Sequence, residues 1–251
     1  MQTGSIRLFR IRGIQLSVHF TFLLLIGYVA WQGWSSEGST GAIVNVVSIL
    51  VFFACVVLHE LGHSFVARAF GVEVPRILLL PIGGMAEFSG LPRRPAHEIL
   101  IALAGPAVNF ALILLLSFFT PIPTWRAVIS LDLEPLQLLF VMNLMMGTFN
   151  LLPVFPMDGG RVLRALLAQR LPYLQATRWA VGTGKVLGLA GILVMVFVFR
   201  HFMGAVLFLF IMIAGELEYR TVLRQETEER RWRELLDRLY VRPPESHESL
   251  P

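Results

Sequence analysis

Residues 42–67 read AIVNVVSILVFFACVVLHELGHSFVA. A helix of about 20 mostly apolar residues is long enough to cross the hydrocarbon core of a bilayer. This stretch meets that requirement, yet it carries histidine and glutamate side chains at residues 59–63. It therefore predicts a membrane-spanning helix that holds a polar site.

The rest of the chain has the same apolar character. Of its 251 residues, 55% are hydrophobic and 15% are charged, whereas soluble domains are about 45–50% apolar and about 25% charged. We predict an all-α polytopic membrane protein with about six transmembrane helices. These helices are expected at about 14–35, 42–67, 98–119, 135–155, 180–199 and 203–219. Five helices is the alternative, because only the Arg200-His201 corner separates the last two.

The basic residues predict the orientation of these helices. If the N-terminus is cytoplasmic, all of the 21 basic residues except Arg126 and Arg200 fall on the cytoplasmic side, Arg164 and Lys185 among them. Basic residues favour the cytoplasmic side of short loops. Both termini are therefore expected in the cytoplasm, and the host membrane is expected to be the bacterial cytoplasmic membrane. The net charge is +4, but the basic residues are scattered along the chain, so we expect no nucleic-acid partner.

Two segments do not fit the pattern of spanning helices. Residues 76–90, RILLLPIGGMAEFSG, are apolar but short, and Pro81 and Gly83-Gly84 interrupt them. They predict a re-entrant or β-hairpin segment between the second and third helices. Residues 220–251 are rich in charge and predict a cytoplasmic helical tail, which follows a membrane domain at 1–219.

The polar cluster in the second predicted helix has the pattern His-Glu-x-x-His. His59 and His63 are one helical turn apart, so both imidazoles can reach one metal ion, with Glu60 beside them as a general base. Charged side chains at the bilayer centre cost about 2.5–3.5 kcal/mol or more, so they are retained mainly for function or pairing. A buried polar network between helices is the weaker alternative. The single cysteine, Cys55, lies one turn earlier; it could be a ligand, but we predict a packing role.

A third metal ligand is expected because catalytic zinc usually has three protein ligands and one open position. The candidate is Asp158 in FNLLPVFPMDGGRVLRALL, residues 149–167. The prolines and glycines around it predict a break in the helix, which could point the carboxylate back at the second helix. Asp-Gly is also ordinary turn chemistry, so the residues alone leave both interpretations open.

Together these motifs resemble the site-2 protease family of intramembrane zinc metalloproteases. HELGH at 59–63 is similar to its first active-site motif, NLLPVFPMDGG at 150–160 to its second, and AGPAVNF at 104–110 to a feature between them. The resemblance implies one zinc ion per chain on His59, His63 and Asp158, with Glu60 as the catalytic acid/base. It further implies that Asn150 holds the substrate or its oxyanion, and that Gly83 and Gly84 line the substrate path.

The same resemblance implies the reaction and its partners. The expected substrates are single-span membrane proteins, such as anti-sigma factors, membrane-bound transcription regulators or signal peptides, cut in regulated intramembrane proteolysis. We expect a compact form without PDZ or CBS domains. We also expect residues 77–88 to pair with the unwound substrate by strand addition.

Two other functions are alternatives to proteolysis. A metal transporter would need acidic and histidine residues along several helices, which this chain concentrates in one. A catalytically silent family member acting as a membrane scaffold would usually lack a catalytic residue, whereas the full set is present here.

Overall fold

A computed structural model describes residues 4–90, 94–130, 133–200 and 202–240. Within these ranges the chain forms seven α-helices and four β-strands. The helices are α1 (Phe20–Ala69), α2 (Pro95–Leu116), α3 (Trp125–Ser130), α4 (Pro135–Asn150), α5 (Asp158–Leu167), α6 (Tyr173–Leu193, continued by a π-helical segment, Val194–Val198) and α7 (Phe202–Tyr240). The strands are β1 (Ser5–Ile11), β2 (Ile14–His19), β3 (Arg76–Leu80) and β4 (Gly83–Glu87).

The long helix α1 is folded back on itself. Its backbone leaves the helical conformation at Glu37 and at Gly38, where φ is 65°. The limbs on either side, 20–36 and 39–69, pack against each other. One contact between them is that of the Phe22 ring, which lies edge-on to the Phe53 ring with centroids 4.5 Å apart. The two limbs correspond to the first two predicted helices, although the first begins at residue 20 and not at 14.

In the part of the chain that the structure describes, four helices are long and apolar enough to cross a membrane. They are Phe20–Ala69, Pro95–Leu116, Tyr173–Val198 and Phe202–Asp237. Helix α4, predicted to reach residue 155, ends at Asn150 after 16 residues, which is short for a span. The chain therefore has the helices of a multi-pass membrane protein, while the number six stays a prediction.

The last helix continues through the predicted boundary at residue 219. Helix α7 runs without a break for 39 residues, and its outer part carries ion pairs one turn apart, Arg230 with Glu226 and Arg233 with Glu229. The predicted charged tail is thus helical as far as Tyr240. Residues 241–251 and His201 of the predicted corner lie outside the described residues.

The N-terminal segment corrects the prediction of an all-α chain. Residues 14–19 form β2 and not the start of a helix, and β2 is part of a four-stranded sheet with the order β1-β2-β3-β4. The side chains of Ile14, Leu16 and Val18 are buried. In the sequence these apolar residues alternate with Gln15, Ser17 and His19, which is typical of a strand, and a hydropathy window of helical length averages the alternation away.

The sheet contains the hairpin predicted at residues 76–90. β2 pairs with β3 in parallel, and β3 pairs with β4 antiparallel, from Arg76 opposite Glu87 to Leu80 opposite Gly83. β4 is an edge strand. The sheet shares one hydrophobic core with α1, in which Ile77 and Leu79 pack with Phe53 and Val56. This packing brings β4 close to the polar cluster of α1. The re-entrant placement of the hairpin stays a prediction.

Candidate metal centre

The two histidines project from one face of the second limb of α1. Their rings lie edge-on, and the two Nε2 atoms are 3.1 Å apart. Both residues are buried, because helix α2 covers them at Gly105. A Cβ atom at Gly105 would overlap the His63 imidazole and lie 2.8 Å from Cε1 of His59. The backbone of α2 is therefore one wall of the site, and a side chain would not fit there.

Asp158 completes the cluster from the other side. It is the first residue of α5, and its Oδ2 atom lies 3.3 Å from Nε2 of His59 and 3.2 Å from Nε2 of His63. The structure thus brings together the three residues predicted as metal ligands. Their donor atoms form the one group of this kind found among the described histidine, cysteine and acidic residues.

The loop before Asp158 explains the two glycines that follow it. A Cβ atom at Gly159 would overlap the carbonyl group of Leu151, and one at Gly160 would lie 2.7 Å from the carbonyl carbon of Val154. The loop folds this tightly over the start of α5 and contains a cis Phe155-Pro156 peptide bond. The predicted break in the helix therefore lies before Asp158, and the glycines serve close packing inside α5.

Hydrogen bonds establish which ring nitrogen of each histidine carries the proton. Nδ1 of His63 lies 2.7 Å from the backbone carbonyl of Ile101, and Nδ1 of His59 lies 2.6 Å from Oδ1 of Asn109. Both partners are acceptors, so each Nδ1 is the donor, and in the neutral imidazole each Nε2 keeps a lone pair. With both rings neutral, the two unprotonated nitrogens and the Asp158 carboxylate face one another, which is the protonation state that metal binding requires.

The orientation of Asn109 follows from a chain of hydrogen bonds. The chain ends at the backbone carbonyl of Leu139, which can only accept, and Asn143 donates to it over 2.9 Å. Oδ1 of Asn143 therefore accepts from Nδ2 of Asn109 at 3.0 Å, and Oδ1 of Asn109 is left for His59. Cys55 lies at the far end, where its sulfur accepts from Asn143 at 3.5 Å. This position agrees with the predicted packing role of Cys55.

The geometry fits a tetrahedral metal ion. Zinc bonds of about 2.0–2.1 Å to nitrogen or oxygen place neighbouring ligand atoms about 3.3 Å apart, which matches the separations in this cluster. Oδ2 of Asp158 is buried and has no hydrogen-bond partner among the described residues. A cation would relieve the repulsion between the three lone-pair atoms. The donor set of two imidazoles and one carboxylate leaves a fourth position open, as in catalytic zinc sites.

Loss of the Asn109 side chain is expected to weaken metal binding. We expect the Asn109→Ala variant to bind zinc about 10–100-fold more weakly, because the partner that holds the His59 ring and its tautomer is gone. Asn143→Ala is the graded comparison, since Asn143 contacts Asn109 and not His59, and its loss should be smaller. Competition with a chelator measures both affinities. Equal affinities in wild type and Asn109→Ala would contradict this role.

The predicted base and the predicted glycines lie side by side. Glu60 is half-buried on α1, and β4 passes over it so closely that a Cβ atom at Gly84 would lie 2.6 Å from Cγ of Glu60. Gly83, at the start of β4, has φ of 139°, which favours glycine. The side chain of Glu60, next to His59 in sequence, thus packs against the edge strand.

The structure does not bring Asn150 into this group. It is the last residue of α4, is half-buried, and donates from Nδ2 to the backbone carbonyl of Met146 at 3.0 Å. Among the described residues, this bond within its own helix is the one hydrogen bond that the Asn150 side chain makes. A role for Asn150 toward a substrate would require its side chain to turn.

Sequence analysis missed a buried ion-pair network behind Asp158. The sequence predicts Arg164 as one of the cytoplasmic basic residues, yet its side chain is fully buried. It donates from Nε to Glu98 at 2.7 Å and from Nη1 to Glu218 at 3.0 Å, and its guanidinium lies 5.0 Å from the ring centres of both Phe155 and Tyr173. Burial opposes the charge of Arg164, but the Glu98 carboxylate holds its pKa above the ordinary value.

This network ties the helix that carries Asp158 to two other helices. Glu98 belongs to α2, which also covers the histidines, and Glu218 belongs to α7. Arg164 lies on α5. A buried cation with carboxylates from two helices restricts where α5 can move. The signal in the sequence was charged residues inside apolar blocks, but their pairing depends on the fold.

Comparisons with known proteins identify a family and several relatives of this chain. The model of peptidase family M50 matches residues 47–129 and 122–191. Zinc metalloprotease MJ0392 of Methanocaldococcus jannaschii is 43% identical over 190 residues, which are 74% of this chain and 52% of that protein. Stage IV sporulation protein FB of Bacillus subtilis is 29% identical over 180 residues, 70% of this chain and 60% of that protein.

A solved structure shows the same likeness in three dimensions. The site-2 protease from Methanocaldococcus jannaschii superimposes with a TM-score of 0.59 and 36% identity, covering 86% of this chain and 95% of that one. The chain spans about half the length of the curated zinc metalloprotease from the same organism. The matched residues include both histidines and Asp158. The chain therefore belongs to peptidase family M50, the family of the site-2 proteases.

Proposed function

We propose that this protein is an intramembrane zinc metalloprotease that hydrolyses peptide bonds of membrane-spanning proteins. One observation carries the proposal: three buried lone-pair atoms of His59, His63 and Asp158 converge beside Glu60, among helices apolar enough to cross a membrane. Family membership and the relatives named as zinc metalloproteases support it. The test is a paired measurement of bound zinc and of cleavage of single-span membrane substrates by the purified protein.

The residues divide the chemistry between them. His59, His63 and Asp158 would hold the ion, and zinc in such a site supplies a Lewis acid and a water of lowered pKa. Glu60 takes a proton from the attacking water and returns it to the leaving amine. Asn109 keeps His59 in the tautomer that leaves Nε2 free. Asn150 is the candidate for the substrate carbonyl, and it must leave the Met146 carbonyl to act.

The edge strand β4 suits an unwound substrate. A helical substrate must open before cleavage, because its carbonyls are already hydrogen-bonded, and the freed groups need partners at membrane depth. β4 is at the edge of the sheet and crosses directly over Glu60 at Gly84. A substrate that added as a fifth strand would have its peptide bonds beside the base.

Two substitutions at Gly84 separate strand addition from simple crowding. We expect Gly84→Pro to reduce cleavage more than Gly84→Ala, while zinc content stays normal in both. Either residue adds a Cβ atom against Glu60, but only proline also removes a backbone N–H and constrains the strand. Cleavage assays with zinc content as the control distinguish them. Equal losses in the two variants would assign the effect to the Glu60 contact and count against strand addition.

The setting of the enzyme is part of the proposal. We place both termini in the cytoplasm of a bacterial cell, on the evidence of the basic residues, and the substrates among single-span proteins handled by regulated intramembrane proteolysis. Anti-sigma factors, membrane-bound transcription regulators and signal peptides are the classes to assay. Zinc binding without cleavage of any of them would favour the scaffold alternative.

A further inference from the structure

Helices α6 and α7 are long enough to cross a membrane, but their charge-free stretches are short. Residues 186–199 and 202–215 contain no charged side chain, and 14 residues of helix span about 21 Å. The hydrocarbon core of a bilayer is about 30 Å thick. Lys185 and Glu216 end the two apolar stretches at the same level, where Nζ of Lys185 lies 2.6 Å from Oε2 of Glu216.

A shallow groove runs along α7 at this level, with Lys185 of α6 at its edge. It has a volume of about 490 Å³ and is lined at one end by Lys185, Glu216 and Arg220. Glu216 accepts from Lys185 and, at 2.9 Å, from Nε of Arg220. Two cations therefore share one carboxylate. Both cations also face outward, since their side chains are 47% and 63% exposed. The remaining wall is apolar and includes Leu209 and Ile213.

We propose that this groove binds an anionic phospholipid of the cytoplasmic leaflet. The headgroup phosphate would lie against Lys185 and Arg220, and an acyl chain would lie along the apolar wall. Basic pockets between transmembrane helices are typical sites for anionic headgroups. The net positive charge of the groove selects against zwitterionic lipids, whose cationic group would approach the same two cations. The inference rests on the membrane embedding and orientation of the proposed function.

The lipid accounts for the short charge-free stretches of α6 and α7. A headgroup seated at Lys185 places the polar boundary of the cytoplasmic leaflet at the level of the charges, so the bilayer is thinner there. Gly184, next to Lys185 in sequence, packs on Val154 of the loop that leads to Asp158, where a Cβ atom at Gly184 would lie 3.1 Å from Cγ1 of Val154.

Lipid retention by the purified full chain tests the proposal. The protein in detergent is mixed with equal amounts of phosphatidylglycerol and phosphatidylcholine of identical acyl chains, and native mass spectrometry counts the bound lipids. We expect phosphatidylglycerol to be retained on the order of ten-fold over phosphatidylcholine by the wild type. We expect the Lys185→Gln/Arg220→Gln variant to bring that ratio close to one.

A matched control and a third variant make the result decisive. The Arg224→Gln/Arg231→Gln variant also removes two positive charges, but from exposed positions of α7 outside the groove. It should keep the preference for phosphatidylglycerol. Glu216→Gln removes the competing carboxylate and should raise the preference. The assignment would be overturned by an unchanged lipid ratio in the Lys185/Arg220 variant or by an equal loss of preference in the control. A lower preference for phosphatidylglycerol in Glu216→Gln would overturn it as well.

A further arm distinguishes a lipid from free phosphate. Millimolar inorganic phosphate should leave the bound phosphatidylglycerol in place, because the acyl chain contributes to binding. Displacement by phosphate would identify a phosphate site and overturn the lipid assignment. Since the readout needs neither zinc nor cleavage, a failure here leaves the proposed protease standing, and an inactive protein could still bind the lipid.

Discussion

Replacing Glu60 with glutamine is expected to reduce cleavage of a membrane substrate by about 10³-fold while bound zinc stays at one per chain. Glutamine has nearly the shape of glutamate but cannot take a proton from water. The proposed ligands are His59, His63 and Asp158, whose donor atoms lie within 4.8 Å of one another, so the metal should be retained. Zinc content and cleavage are measured on the same detergent-purified samples.

The control for this experiment is a second glutamate on the same helix. Glu37 lies at the bend of α1 and is exposed, so Glu37→Gln should leave both zinc and cleavage unchanged. Zinc in both proteins with cleavage lost only in Glu60→Gln would establish a metalloprotease with Glu60 as its base. Zinc without cleavage by the wild type would point to a scaffold. Absence of zinc from both would overturn the metal centre itself.

Adding a single methyl group at Gly105 is expected to disrupt the metal centre. The Cβ atom of Gly105→Ala would occupy the space of the His63 imidazole and crowd His59. Either the rings turn away from Asp158 or α2 moves outward, and both changes separate the donor atoms. We expect zinc affinity to fall by at least about 100-fold. Overpacking should also lower the free energy of unfolding by about 1–3 kcal/mol.

A glycine with free space around it provides the matched control. Gly182 lies inside α6, and a Cβ atom there would meet nothing within 4 Å. Gly182→Ala should therefore keep normal zinc affinity and raise stability slightly, because alanine favours a helix by about 1 kcal/mol over glycine. Chelator competition and thermal unfolding compare the two variants. Normal zinc affinity in Gly105→Ala would show that α2 does not hold the histidines as described.

Errors in the predicted fold arose where local pattern and hydropathy disagree. Residues 14–19 are apolar enough to extend a helix in a hydropathy window, but apolar and polar residues alternate along them and they form β2. Helix α4 ends at Asn150, five residues before its predicted end, because the loop 151–157 folds back to deliver Asp158. A window sums apolarity over its length and therefore detects neither the alternation nor the turn.

Some properties of this protein were determined by the sequence alone. A bilayer requires long apolar helical runs, so composition reveals them without any knowledge of the fold. His59, Glu60 and His63 could be assigned to one site because a helix places residues four apart on the same face. The residues around Asp158 are compatible with either a metal ligand or an ordinary turn. Only the resemblance to a family predicts that Asp158 is a ligand.

The remaining features depended on the tertiary structure, because they join residues that are distant in sequence. The bond from His59 to Asn109 crosses 50 positions, and the pair of Arg164 with Glu98 crosses 66. Such contacts follow from where whole helices pack, and that packing depends on close approaches such as the one at Gly105. Local periodicity carries no information about these distances. The pattern therefore indicated which residues could bind a metal, and the packing of α1, α2 and α5 decided that their donor atoms meet.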